Sequence, residues 1–151
     1  YETLIEFLFT WKDEKHCKNK ERRWLLKHYV TFLVHSGLRP GTETDNLRWK
    51  HVREIKTDKG NERAVLTVNG KTGGRSPVIS GPAYTALVQI KSDMEIAGTK
   101  VKPEMPIFCL PDGTPVKNDY FRQIFTNALK KSNLLLDAEG NQRSLYSLRP
   151  T

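Results

Sequence analysis

The chain has 151 residues, of which 37% are hydrophobic, and this suits a single globular domain with its own core. Lys and Arg (25) outnumber Asp and Glu (17), so the formal net charge is +8, which favours an anionic partner such as nucleic acid, although the same excess also serves solubility alone. No apolar run approaches the ~20 residues of a membrane-spanning helix, which excludes a spanning segment.

The first third of the chain is predicted to be helical. Leu4, Leu8 and Trp11 lie four and three residues apart, which is typical of a short helix with one buried face. The same periodicity predicts a second helix over residues 21–35, and Gly37 is well placed to end it because glycine tolerates the left-handed backbone of a helix C-terminus.

A third helix is predicted to begin at Thr42. Asp45 follows three residues later, so the pair resembles a capping box with Asp in the place of Glu. We expect this helix to run to about Trp49.

The middle of the chain changes to a strand-forming pattern. Turn-forming residues cluster at 58–60 and 69–74, and the segments around them are rich in β-branched residues. This pattern predicts a three-stranded antiparallel meander, and Pro77 indicates that its last strand is an edge. The predicted strands are residues 52–55, 64–68 and 75–79.

Helical periodicity returns in the second half. Ser80 and Pro82 signal a helix start, and Gly98 is placed to end this helix. A small extended or hairpin element is predicted over residues 107–116, and a further helix is predicted from Asn118. A turn at 139–141 then comes before another apparent helix start. The expected buried faces of the two helices are Leu87, Ile90 and Met94, and Phe121, Ile124, Phe125 and Ala128.

No metal site is indicated by the sequence. His28 and His35 lie seven residues apart on one predicted helix face, but no third ligand is evident, so ordinary helix histidines are the better interpretation. The only cysteines, Cys17 and Cys109, are far apart, which suggests neither a disulfide framework nor a zinc site and favours a reducing cytosol.

Three basic residues stand out by their context. Arg39 lies at the junction of two predicted helices, where a helix N-terminus helps to hold an anion. Lys71 lies at the Gly-rich tip of a predicted hairpin, and Arg149 lies near the other end of the chain. Taken singly, each is more often an ordinary surface charge.

Together, these segments resemble the tyrosine recombinase (phage integrase) family. The run 36–39, followed by an acidic residue and then by Leu47 and Trp49, is similar to the first box of that family. The run 71–73, followed by Arg75 and Val78, is similar to its lysine hairpin. Residues 145–151 resemble the start of its second box.

The resemblance implies an α+β, mainly α, fold: a helical catalytic domain with a small three-stranded antiparallel sheet, known as the DNA breaking-rejoining enzyme fold. It also implies cleavage of DNA through a phosphotyrosyl intermediate, without a metal or nucleotide cofactor. Arg39 and Arg149 would be the phosphate clamps, because a guanidinium stays charged and donates paired hydrogen bonds. Lys71 would be the general acid that protonates the departing 5′-oxygen.

This sequence departs from the family pattern in both boxes. Thr42 holds the usual acidic position and Glu43 comes one residue later, so the supporting role is assigned to Glu43. Tyr146 stands where the family usually has His or Lys, and since a phenol with a pKa of ~10 is a poor base near neutrality, Tyr146 is a candidate phosphate contact. We expect Arg75 and Lys50 to contact DNA.

The implied partner is double-stranded DNA, on which the family assembles as a homotetramer. We expect residues 1–151 to be an integrase-like catalytic domain that lacks both the nucleophile-bearing C-terminal segment and the N-terminal core-binding domain. By itself this piece should be monomeric and unable to cleave DNA. The expected setting is the cytoplasm of a bacterium, on its nucleoid, with a bacterial or phage gene that integrates or excises a mobile element.

Two other interpretations remain open. The chain could be a non-catalytic DNA-binding module of the same fold, which Tyr146 favours. It could also be a basic protein unrelated to DNA, an alternative that a test for salt-dependent DNA binding would separate from the other two.

Overall fold

The structure is a computed structural model that describes residues 2–11, 20–56, 62–70 and 73–145. Within these ranges the chain forms a mainly helical α+β arrangement with one small three-stranded sheet and one two-stranded hairpin. The elements in chain order are α1 (Glu2–Trp11), α2 (Lys20–Ser36), α3 (Thr42–Asp45), β1 (Val52–Lys56), β2 (Glu62–Leu66), β3 (Val68–Gly70), β4 (Gly73–Arg75), β5 (Val78–Ser80), α4 (Pro82–Ile96) and α5 (Asn118–Lys131).

The first two helices confirm the predictions from periodicity. Leu4 and Leu8 of α1 are buried, and α1 packs against α2. Helix α2 ends at Ser36, and Gly37 follows with a φ of 72°, the left-handed conformation that glycine adopts without strain. The chain can therefore leave the helix sharply at this point.

Helix α3 begins at Thr42, but its N-cap is Gly41 and not Thr42, so the predicted capping box of Thr42 and Asp45 is wrong. The helix is also only four residues long and does not reach Trp49. Long-range backbone bonds explain the difference. The N–H of Trp49 donates to the carbonyl of Met105 (3.2 Å), and the N–H of Lys50 donates to that of Pro103 (2.9 Å). These bonds hold residues 49–51 as a single 3₁₀ turn against a distant loop.

The three-stranded antiparallel sheet is present in the order β1–β2–β5, and β5 is an edge strand as Pro77 predicted. The predicted middle strand is divided at Thr67, which belongs to neither β2 nor β3. Its N–H donates to the carbonyl of His51 (2.9 Å), in the register of the β1–β2 pair. Strands β3 and β4 then form a separate hairpin, in which Gly70 pairs with Gly73.

One face of the sheet is covered by helix α4. Ala64, Leu66 and Ile79 alternate along their strands and are all buried, as expected when one face of a sheet meets the core. Helix α4 packs against β2, β5 and α2. Its predicted apolar face is buried, and Ala97 and Gly98 follow its C-terminus.

The second half of the core is built around aromatic rings. Tyr29 of α2 stacks on Phe121 of α5 with the ring centroids 4.0 Å apart, and Phe108 meets both rings edge-on. The predicted hairpin forms through an antiparallel bridge between Cys109 and Pro115. The apolar face predicted for α5 is buried throughout.

The described part of the chain closes with the predicted turn. Leu136 and Gln142 form an antiparallel bridge around it, and Leu145, the last described residue, is buried in the core. The helix start predicted after this turn lies outside the described residues. No helix in the described ranges has the length and apolar character needed to span a membrane.

Candidate functional site

Arg39 lies in the short loop between α2 and α3. Leu38 is fully buried and anchors this loop, while Arg39 is exposed. Among the residues that the structure describes, no side chain forms a hydrogen bond or ion pair with the Arg39 guanidinium. This exposed cation is therefore available to an anion from outside the chain.

Glu43, one turn further along, has a side chain that is only 10% exposed, and its carboxylate contacts two separate segments. The backbone N–H of Arg39 donates to its Oε1 (3.2 Å). The Arg75 guanidinium donates to both of its oxygens, with Nη2–Oε1 at 2.8 Å and Nε–Oε2 at 3.3 Å. Paired contacts of this kind are directional as well as strong.

Arg75 belongs to β4, the strand that leaves the Gly-rich turn. Its Nη2 also lies 3.5 Å from the carbonyl oxygen of Gly37, at the end of α2. Arg75 and Glu43, which lie 32 residues apart in the chain, thus connect the Arg39 loop to the β3–β4 hairpin.

Glu43 is held in its charged form. Burial alone would raise the pKa of Glu43, but the hydrogen bonds from the Arg75 guanidinium and from the Arg39 backbone, together with the positive charges of both arginines, lower it below its ordinary value. The ionised carboxylate pairs with the Arg75 guanidinium, whereas the Arg39 side chain stays exposed.

Three of the residues singled out from sequence lie outside the described residues: Lys71, Tyr146 and Arg149. Their neighbours are described. Gly70 and Gly73, which flank residues 71–72, pair across the β3–β4 hairpin, and Leu145, which precedes Tyr146, is buried.

Lys50 is placed apart from the Glu43–Arg75 contact. Its Nζ lies 3.1 Å from Glu104, in a pair whose side chains are 45% and 76% exposed. Exposed pairs of this kind hold a side chain only weakly. Lys50 also borders a cleft of about 670 Å³ between β1 and α4, whose lining includes neither Arg39, Glu43 nor Arg75.

The sequence predictions missed a hydrogen-bonded group beneath the Arg39 loop. The hydroxyl oxygens of Tyr29 and Thr44 lie 2.9 Å apart, and the Tyr29 hydroxyl donates to Asn118 Oδ1, also at 2.9 Å. Asn118 in turn donates its backbone N–H to Asp45 (2.8 Å). The only signal in the sequence is a tyrosine among the apolar positions of α2, where the hydroxyl needs a partner.

The histidines predicted to be ordinary helix residues differ in their surroundings. His28 is buried beside Trp24, whereas His35 is exposed. Across residues 2–11, 20–56, 62–70 and 73–145, no group of three His, Cys, Asp or Glu side chains could hold a metal ion.

Comparison with known proteins finds the same fold in solved structures. No protein-family model matches the chain, and no curated protein matches it. A post-cleavage complex of the XerH site-specific recombinase with palindromic difH substrate has a TM-score of 0.65 at 18% identity, covering 98% of this chain and 37% of that one. The lambda integrase catalytic core has a TM-score of 0.61 at 16% identity, covering 98% of this chain and 79% of that one.

A second XerH structure, a pre-cleavage complex with difH, has a TM-score of 0.60 at 18% identity, covering 98% of this chain and 39% of that one. The chain therefore spans less than half the length of the XerH chains that it matches. Its fold is like that of the lambda integrase catalytic core, which confirms the predicted fold class.

Proposed function

We propose that this chain is the catalytic-domain portion of a tyrosine-type site-specific recombinase, or integrase, which cleaves and rejoins duplex DNA through a phosphotyrosyl intermediate. The observation that carries the proposal is the contact of Glu43 with both the Arg39 backbone and the Arg75 side chain. It joins the loop of the proposed phosphate clamp to the hairpin that contains Lys71. The fold likeness to two DNA recombination enzymes supports the same reading.

The proposed chemistry is a transfer at a backbone phosphate. A tyrosine hydroxyl loses its proton to solvent as its oxygen forms a bond to phosphorus, and the bond from phosphorus to the 5′-oxygen breaks. Lys71 gives a proton to that departing oxygen and is protonated again from solvent. Arg39 and Arg149 bind the other phosphate oxygens, on which negative charge accumulates in the transition state. Fixed cations that are oriented before the reaction stabilise such charge most effectively.

Glu43 and Arg75 have the proposed role of holding this site together. Because the Glu43 carboxylate is buried and charged, it fixes the backbone of Arg39 without contacting the phosphate. Arg75 is 45% exposed, so a direct DNA contact by its outer edge is compatible with its bond to Glu43. The DNA contacts of Arg75, Lys50 and Tyr146 are part of the proposal.

The proposal extends to the protein as a whole. The nucleophilic tyrosine would follow residue 151 in a longer protein, and a separate core-binding domain would complete the grip on DNA. We infer a homotetramer on DNA for that protein and a monomer for residues 1–151. The setting would be the cytoplasm of a bacterium, and the reaction the integration or excision of a mobile element, with no metal or cofactor.

DNA binding by the 151-residue chain is the first test. Its affinity for a short duplex, measured by fluorescence anisotropy, should fall steeply as salt rises, because each phosphate contact releases counterions. Lys100→Ala is the charge-matched control for Arg39→Ala, since it also removes one positive charge and Lys100 is exposed in the loop that follows α4. Salt-independent or absent binding would count against a nucleic-acid partner.

Cleavage is the second test, and it is made on the longer protein that the proposal requires. With a nicked duplex that traps the covalent intermediate, that protein should form an adduct resistant to denaturant. Lys71→Ala and Arg39→Ala should each lower the rate by ~10²-fold or more. Wild-type rates in both variants would defeat the assignment, as would an adduct formed by residues 1–151 alone.

One alternative keeps the fold and the DNA partner but not the chemistry. Tyr146 replaces the usual His or Lys of the second box, and this favours a DNA-binding module without cleavage activity. A longer protein that binds DNA with the predicted salt dependence but forms no adduct with a nicked duplex would support this alternative.

A further inference from the structure

A hydrogen-bonded network runs beneath the Arg39 loop and links three helices. The N–H of Gly41 donates to Thr44 Oγ1 (3.2 Å). Thr44 Oγ1 lies 2.9 Å from the Tyr29 hydroxyl, which donates to Asn118 Oδ1 at 2.9 Å. Tyr29 is 1% exposed and Thr44 is 3% exposed, so water does not compete freely for these bonds. The network crosses from α3 through α2 to the first turn of α5.

Counting protons limits the direction of the bonds in this network. Tyr29 has one hydroxyl proton, and the carbonyl oxygen of Asn118 accepts it. The Thr44 hydroxyl also has one proton, with two acceptors within reach: the Tyr29 oxygen at 2.9 Å and the carbonyl oxygen of Gly41 at 3.1 Å. The Thr44 oxygen accepts the Gly41 N–H (3.2 Å), so Thr44 contacts both the N–H and the carbonyl of Gly41. Linked bonds in a buried network of this kind polarise and strengthen one another. Burial also raises the pKa of Tyr29 well above its ordinary value, so its proton stays in place.

This network acts on the backbone that carries Arg39. Gly41 has a φ of 118°, a conformation that other residues rarely adopt, and its N–H is fixed by Thr44. The N–H of Arg39 is fixed by Glu43, and Pro40 between them has a restricted φ. The loop is therefore tied at two points, while the Arg39 side chain itself is exposed and has no bonded partner among the described residues.

We propose that Tyr29 is a positioning residue for Arg39. Acting through Thr44 and Gly41, its hydroxyl holds the loop so that the Arg39 guanidinium faces a DNA phosphate. This inference rests on the proposed function, because it takes Arg39 to be a phosphate ligand. Tyr29 itself touches no DNA, since it is buried.

A neutral substitution that changes the salt dependence of binding provides the test. Tyr29→Phe removes one hydroxyl, changes no charge and keeps the ring that stacks on Phe121. Duplex affinity is measured for the 151-residue chain between about 50 and 200 mM salt. Arg39→Ala should weaken binding ~10-fold and lower the slope of log affinity against log salt by about one.

If Tyr29 acts through Arg39, Tyr29→Phe should weaken binding ~3-fold or more and lower the same slope, although it removes no charge. In an Arg39→Ala background it should have no further effect, which is the behaviour expected of two residues that act as one unit. Thr44→Val should behave like Tyr29→Phe, whereas Thr44→Ser, which retains the hydroxyl, should restore wild-type binding. Thermal unfolding of each variant confirms that the chain is folded at the temperature used.

Two kinds of failure are distinguishable. If Arg39→Ala weakens binding but Tyr29→Phe and Thr44→Val leave affinity and slope unchanged, or weaken binding equally in the Arg39→Ala background, the positioning role is wrong and the proposed function stands. If Arg39→Ala itself changes neither affinity nor slope, Arg39 is not a phosphate ligand, and both the positioning role and the proposed site are wrong.

Discussion

The Arg75 guanidinium meets the Glu43 carboxylate at both of its oxygens, with a shortest separation of 2.8 Å, and this contact fastens the β3–β4 hairpin to the loop after α2. The Glu43 side chain is nearly buried, and the Arg75 side chain is about half exposed. The pair lies close to Arg39, whose backbone N–H shares the same carboxylate. Its contribution to stability and to DNA binding can be measured separately.

Glu43→Gln should destabilise the chain by about 1–2 kcal/mol at pH 7, because the paired charged hydrogen bonds are lost while the side chain keeps its size. The pKa of Glu43 is below its ordinary value in the folded state. Its ionised form therefore contributes stability above the unfolded pKa of ~4.3, and this contribution is lost as pH falls through the folded pKa.

The measurement is urea unfolding of wild type and Glu43→Gln from pH 7 down to pH 3. The difference in free energy of unfolding between the two should narrow as the pH falls, because Glu43 of the wild type then becomes protonated and is neutral like the glutamine. Glu104→Gln is the control, because the Lys50–Glu104 pair is exposed and its loss should cost no more than ~0.5 kcal/mol. A gap of constant size at every pH would contradict this assignment.

Gly41→Ala and Gly98→Ala form a matched pair. Both glycines have a positive φ, 118° and 90°, and both have open space where a Cβ would lie. Each alanine should therefore cost about 1–2 kcal/mol through backbone strain alone. Only Gly41→Ala should also weaken duplex binding, since Gly41 follows Arg39 by two residues. Equal losses of DNA affinity would show that the loop geometry around Arg39 does not matter for binding.

Phe121 is the ring on which the core between α2 and α5 depends. It is 1% exposed, stacks on Tyr29 and meets Phe108 edge-on. Phe121→Ala should lower the free energy of unfolding by about 3–5 kcal/mol, through lost burial and the cavity that remains. Ile96→Ala is the contrast, because Ile96 is 80% exposed and its change should stay within ~0.5 kcal/mol. Similar losses in both variants would mean that the core is wrongly placed.

Cys109 should be unreactive in the folded chain. Its side chain is fully buried, and burial, with a smaller contribution from Asp112, raises the pKa of its thiol to about 11. In a Cys17→Ser variant, which leaves one cysteine, a disulfide reagent at pH 8 should react at least ~100-fold more slowly in buffer than in urea, because the thiolate is the reacting form. Equal rates would place Cys109 at the surface.

The regular elements were predictable because their signals are local. The apolar periods of α2, α4 and α5 and the turn chemistry of residues 69–74 identified these elements. The length of α3 and the break in the middle strand were not predictable. The length of α3 depends on the bond from Trp49 to Met105, and no short window of sequence contains both partners.

The candidate site divides in the same way. The motif around Arg39 brought Glu43 to attention, and the structure joins those two residues. The pairing of Glu43 with Arg75 spans 32 residues, and that of Tyr29 with Asn118 spans 89. Such pairings arise only when packing brings the elements together, so neither could be read from the sequence.

The most direct test of this account is a crystal structure of the chain bound to a DNA duplex. The account predicts that the guanidinium groups of Arg39 and Arg149 contact one and the same backbone phosphate, with the Lys71 ammonium beside its 5′-oxygen. Arg39 and Arg149 on opposite sides of the molecule, or a duplex bound to a surface remote from the Glu43–Arg75 contact, would contradict it.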